Sequence, residues 1–237
     1  LWNYLSDGRR AKNPKGLSRQ SLQLRVADET VMCRGRGTAG YRGIGVGYPE
    51  RISLAFDSEE MALRLLWKGE FANINHGRFN AIGRDRIAFP AGIPFHRLGS
   101  MDESWPYKGK TDYLFPMDHG YQYRGYFLDR DKRPTFMYRY GDIAVEDFFQ
   151  DLLNEQGNAF FRRTLTFSAP TAQKLFYFRV ASAKEVEASG DSWQAGPLEV
   201  RFGSGRQALV REGDPQELLL PLTLAAGETQ LQIEYRW

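Results

Sequence analysis

In this chain of 237 residues, Lys and Arg number 32 against 29 Asp and Glu, so the formal charge is only +3, with the two signs interspersed. That balance argues against nucleic acid as a partner, which calls for a basic patch or stripe. A 14% aromatic content without low-complexity tracts points to an ordered, packed chain, and no apolar run reaches the roughly 18 residues of a membrane-spanning helix.

The single cysteine, Cys33, excludes an internal disulfide and a multi-cysteine metal site, and it reads as a small buried apolar residue. The length suits one all-β unit. Residues 1–8, LWNYLSDG, are expected to form a short helix with Leu1, Tyr4 and Leu5 on one side, and RRAKNPKG reads as an exposed basic linker. The expected organisation is therefore a helical tail and linker from a preceding segment at 1–16 and a single β-sandwich domain at 17–237. With Leu1 at its start, no initiator Met and no signal-peptide pattern, the chain reads as a segment released from a longer precursor.

Period-two patterning then begins. Leu22, Leu24 and Val26 alternate with polar residues; Ile52, Leu54 and Phe56 follow, then Leu63, Leu65 and Trp67. Between them, Gly35, Gly37 and Gly40 match GxGxxG. A dinucleotide site needs a helix starting at that point, and the following YRGIGVGYP is hostile to helix. A glycine-rich strand closely approached by another backbone or a bulky aromatic is the better reading.

Over residues 69–117 the periodicity fades into irregular segments rich in Gly, Pro, Asn and aromatics, either covering loops or functional ones. In the next stretch, YQYRGYFLDRDKRPTFMYRYGDIAVED, the alternation places Tyr121, Tyr123 and Phe127 on one face and Phe136, Tyr138 and Tyr140 on one face. A hairpin connection at 129–133 joins the two runs. Helix is expected only at 145–154 and in the N-terminal turn. Further strands carry Phe161, Leu165 and Phe167; Phe176, Phe178 and Val180; Leu198, Val200 and Phe202; residues 218–224; and Leu231, Ile233, Tyr235 and Trp237. The fold class is all-β, an antiparallel β-sandwich or supersandwich with long irregular loops and minor helix.

Catalytic signatures are sparse. His76, His96 and His119 lie outside any HxH, HExxH or CxxCH pattern, and no GxSxG elbow is present. Asp118 is placed to orient His119 as a general base, with His96 converging from another loop. Asp112, Asp118, Asp129 and Asp131 offer carboxylates for glycoside chemistry without a distinctive pair, and Asp129 and Asp131 sit where a turn wants Asp. Trp67, Trp105 and Trp193 are candidates for a sugar-stacking platform, with Arg78, Asn73 and Asn75 for hydroxyls. Trp67 continues a core-facing parity. Trp105 with neighbouring Tyr107, and Trp193, are the stronger candidates for an exposed ligand or interface role.

Three blocks, LWNYLSDGRRAKNPKGL, ISLAFDSEEMALRLLWKGEF and YRGYFLDRDKRPTFMYRYGDIAVED, resemble the β-rich module that accompanies c-type cytochrome domains in large exported bacterial haem-binding, dehydrogenase-like proteins. The resemblance implies a periplasmic or extracellular location and haem c on a neighbouring domain or subunit; this chain lacks CxxCH and carries no cofactor itself. The function expected is a noncatalytic accessory or assembly module packing against a c-type cytochrome, with interface loops at 95–107 and 114–123. The alternative is a carbohydrate-active enzyme or sugar-binding domain on a mutarotase-like supersandwich, using His96, His119 and Asp118.

Overall fold

The computed structural model describes residues 21–107, 109, 114–203 and 206–237; the helix and linker expected at 1–16, and Asp112, lie outside the described residues. The first sheet runs, in spatial order, β1 (Leu22–Leu24), β6 (Ala72–Asn75), β7 (Arg78–Ala81), β2 (Val31–Gly37), β3 (Gly40–Gly47), β4 (Ile52–Asp57), β5 (Ala62–Lys68) and β8 (Arg84–Ala88). A second sheet follows as β10 (Tyr121–Leu128), β11 (Pro134–Tyr140), β12 (Ile143–Leu153), β13 (Ala159–Ala169), β20 (Gly227–Arg236), β17 (Leu198–Phe202), β16 (Ser192–Ala195) and β15 (Val186–Ser189). The third is β18 (Leu209–Arg211), β19 (Gln216–Leu224), β14 (Gln173–Ala183) and β9 (Phe95–Arg97). Pairing among the described strands is antiparallel except for a short parallel contact between β2 and β7. The fold is all-β and sandwich-like, as the alternation predicts.

Apolar faces of the sheets meet in one core. Phe56 of β4 stacks on Phe136 of β11 at 4.0 Å, and Tyr48 meets Phe161 of β13 edge-on at 5.0 Å. Phe95 of β9 ties in the third sheet through Phe167 at 5.4 Å. A second apolar cluster, including Trp67, Phe71 and Phe79, covers the other face of the first sheet. With apolar layers on both sides, all six residues of β4 are buried.

The GxGxxG glycines form the β2–β3 hairpin rather than a helix start. A Cβ at Gly37, whose φ is +132°, would lie 2.3 Å from the Phe79 carbonyl oxygen. Further along β3, a Cβ at Gly43 or Gly45 would lie 3.0 or 2.9 Å from the Phe79 ring. Glycine is required here because an aromatic layer rests directly on the strand.

Three expectations are corrected. The helix at 145–154 is strand β12, whose alternating buried positions are Ile143, Val145, Asp147, Phe149 and Asp151. The irregular stretch 69–117 contains β6 to β9; His76 and Gly77, with φ of 49° and 71°, make a tight hairpin turn between β6 and β7. Finally, a bulge between Tyr123 and Gly125 shifts the register of β10, so Tyr126 instead of Phe127 joins Tyr121 and Tyr123 on the inner face. Phe127 is left 46% exposed.

Candidate functional site

The segment leading into β10 builds an apolar lip. Pro116–His119 form one 3-10 turn, with Pro116 buried. The Phe115 N–H donates to Asp118 Oδ2 at 2.7 Å, and Gly120, at φ 87°, ends the turn by donating its N–H to the carbonyls of Met117 and Pro116. Held this way, Phe115 and Met117 remain 57% and 73% exposed. They overhang a groove of about 370 Å³ walled by Met61, Tyr121 and Tyr123, with Arg42, Ser58 and Glu59 at its polar end. Apolar walls with a few placed polar groups are the usual makings of a binding site.

The polar end is set by a tight turn after β4. Asp57 Oδ1 accepts the N–H groups of Glu59 at 2.9 Å and Glu60 at 3.4 Å, and Ser58 Oγ donates to the Arg42 carbonyl at 2.8 Å. Burial, reinforced by the Glu60 charge, pushes the Asp57 carboxyl up from 3.8 to about 6. The folded chain therefore holds a proton that the unfolded chain has already released. The resulting stability is fully present below pH 3.8 and is lost as pH rises through about 6. The expected loss is on the order of 3 kcal/mol. Asp57→Asn should flatten that part of a stability-against-pH curve measured by urea unfolding, because its amide oxygen can still accept both N–H groups. A variant retaining the full slope would show that another group is responsible.

Behind the groove lies a cluster of histidines and tyrosines. The His96 ring is 5.9 Å from Tyr121 and 5.1 Å from Tyr140. The Tyr121 hydroxyl donates its only proton to the Phe95 carbonyl at 2.5 Å, so the 2.6 Å contact between Tyr121 and His96 requires Nδ1–H of the imidazole to be the donor. Burial, followed by the charge on His119, lowers the His96 pKa. Near neutral pH this leaves a neutral ring with its lone pair on Nε2. His119 lies 6.2 Å from Tyr107, and its Nε2 is buried without a hydrogen-bond partner among the described residues.

His96 and His119 thus share one corner of the fold. Asp118 does not complete an acid–base set with them: it is exposed, and its carboxylate caps the turn through the Phe115 N–H. Asp129 likewise accepts the N–H groups of Asp131 at 2.9 Å and Arg133 at 2.8 Å, serving its turn as its position predicts.

The expected aromatic platform is dispersed. Trp105 is buried instead of exposed: Arg179 lies 4.4 Å and Arg211 5.2 Å from its ring, and Nε1 donates to Glu217 at 3.2 Å. Glu217 also bonds both arginines, so the tryptophan belongs to a packed charged cluster. Tyr107 is buried too, and burial with the nearby Glu60 charge raises its hydroxyl to about 12. Trp193 is half-buried on β16 opposite Val200. Arg78 is exposed beside Arg36 across the parallel contact, in a depression of about 200 Å³. Asn73 and Asn75 lie on β6, and Trp67 is buried as expected, though a register shift in β5 puts it in the second apolar cluster and Leu63 in the main core; its Nε1 donates to the carbonyls of Glu70 and Phe71. Cys33 is half-buried, and burial raises its thiol to about 11.

Phe115, Met117 and Met61 were not singled out by sequence, although 114–123 was. The available signal was local: a Phe-Pro pair followed by Asp at the capping position of a short turn.

Comparison with protein-family models, with curated proteins and with solved structures finds no match. Among the described residues, no three His, Cys, Asp or Glu side chains are grouped to hold a metal ion, and no helix is long and apolar enough to cross a membrane.

Proposed function

We propose that this chain is a noncatalytic docking module, and that the groove beneath Phe115 and Met117 receives part of a partner protein. The exposed Phe115 and Met117 side chains at the lip of an apolar-walled groove carry this reading. Covering such side chains is worth roughly 1.5–3 kcal/mol each, and clustered exposed apolar groups mark interaction sites. The resemblance described above makes a c-type cytochrome domain, in an exported complex, the first partner to test.

Surface plasmon resonance with a purified c-type cytochrome domain of the same organism should detect binding. Phe115→Asp should weaken it at least about tenfold, the size of effect typical of an anchor residue, without lowering the melting temperature. Failure of the unaltered chain to bind removes the cytochrome as partner; undiminished binding by Phe115→Asp moves the interface elsewhere.

A second reading, carbohydrate recognition, is favoured by the same groove pairing Tyr121 and Tyr123 with Arg42, Ser58 and Gln122. Specific retention of a glycan from an array, abolished by Phe115→Asp, would select it.

A further inference from the structure

The groove follows an open sheet edge. β10 is the terminal strand of its sheet, paired with β11 on one side and with no described strand on the other. The Gly141 N–H donates to the Gly120 carbonyl at 3.0 Å, which makes Gly120 and Gly141 a hydrogen-bonded pair. In an antiparallel ladder such pairs alternate with non-bonded ones. Tyr121 opposite Tyr140 and Tyr123 opposite Tyr138 are therefore non-bonded pairs, while Gln122 opposite Arg139 is bonded. Tyr140 instead faces Ile143 across the Gly141-Asp142 turn, which agrees with this assignment. Tyr121 and Tyr123 consequently turn their backbone N–H and C=O groups away from β11; Tyr121 is covered there, at 1% exposure, while Tyr123 is half-buried and presents its groups beside the groove it lines.

Two further observations define what this edge accepts. Exposed apolar side chains flank both ends of β10: Phe115 and Met117 before it, Phe127 and Leu128 at its end, the last two 46% and 47% exposed. Around its middle the exposed charge is mainly basic: Arg124 at the bulge, Arg34 over the Tyr126 ring, and Arg42, with Glu59 4.0 Å from Arg42 as the acidic neighbour. Native edges are normally blunted by bulges and charge, and here the bulge begins only after Tyr123.

We infer that β10 accepts an extended segment of a partner protein as an added strand, with apolar residues entering the groove and an acidic residue near Arg124. Main-chain hydrogen bonds supply affinity in this mode, and alternate side chains supply selectivity. A second copy of this chain fits the edge less well, since self-pairing would gather Arg34, Arg42 and Arg124 from both chains, and facing like charges are unfavourable. The inference rests on the docking reading and adds the conformation and charge of the docked segment.

The test uses a random peptide library displayed on phage and selected on the full chain. Selected peptides should alternate apolar and polar residues and contain Asp or Glu. On binding, they should slow hydrogen exchange at the Tyr123 amide at least tenfold. Selection on Arg124→Glu should favour Lys or Arg instead, and that exposed substitution leaves the groove walls intact. No enrichment, or no change in charge preference with Arg124→Glu, overturns the inference. Peptides that lose binding to Phe115→Asp while the Tyr123 amide still exchanges freely also overturn strand addition, yet leave the docking groove standing. A concentration-dependent dimer that protects the same amide without peptide assigns the edge to a second copy and overturns the choice of partner.

Discussion

Asp147→Ala is expected to destabilise the chain by about 4 kcal/mol, the cost of leaving a buried charge without its partner. Asp147 and Arg163 are almost wholly inaccessible to solvent, and they meet through two parallel bonds, Nε to Oδ1 at 2.8 Å and Nη2 to Oδ2 at 2.6 Å. The Tyr138 hydroxyl donates to Asp147 at 3.2 Å, and the Phe149 and Phe178 rings lie 5.0 and 5.1 Å from the guanidinium. Burial opposes the arginine's charge, but Asp147, and then Tyr235, hold its pKa above the ordinary value. With Asp147 removed that support is lost, but a guanidinium is basic enough to stay charged near neutral pH, so Arg163 is left as a buried charge without its partner. Urea unfolding followed by tryptophan fluorescence measures the loss. Replacing the group together, as Asp147→Leu with Arg163→Met and Tyr138→Phe, should recover most of it, because an apolar core of similar volume can match a buried ion pair. A single variant within about 1 kcal/mol of the parent, the range of an exposed pair, would contradict the burial and pairing described here.

The same pair explains why β12 resembles a helix in sequence. Its inward positions include Asp147 and Asp151, so acids interrupt what would otherwise be an apolar alternation. Their partners, Arg163 on β13 and Arg133 in the turn before β11, come from other segments, and only the folded ladder brings them together. β20 was legible because Leu231, Ile233 and Tyr235 face inward with no such interruption. Trp105 failed as an exposed candidate for a related reason: Arg179, Arg211 and Glu217, which enclose it, lie on β14, β18 and β19, far along the chain. At β10, Gly125 gave only a weak hint of the bulge that turns Phe127 outward. Strands were readable where a longer run put one face to water and the other to hydrocarbon; β7, whose four residues alternate in the same way, is too short to stand out from the turns around it. The groove was not readable, because it depends on where one capped turn comes to rest.

Phe95→Ala is expected to cost about 4 kcal/mol, as large-to-small changes of buried aromatics do. Phe95 is fully buried, with Tyr121, Tyr138, Tyr140, Phe167 and Phe176 at ring-centroid distances from 5.4 to 6.5 Å. Edge-on aromatic pairs add roughly 0.5–1.5 kcal/mol beyond the area they bury. Phe95 also belongs to β9, a short strand paired with β14, so its ring helps fasten the third sheet to the second. Phe95→Leu, which keeps most of the volume, should cost roughly 1.5 kcal/mol or less. The milder variant separates stability from recognition. Tyr121 leans edge-on against Phe95 and also walls the docking groove. Phe95→Leu should therefore weaken partner binding while the chain remains folded at working temperature, as read by calorimetric melting and surface plasmon resonance on the same sample. Equal binding by Phe95→Leu and the parent would mean that the groove wall does not depend on the ring behind it.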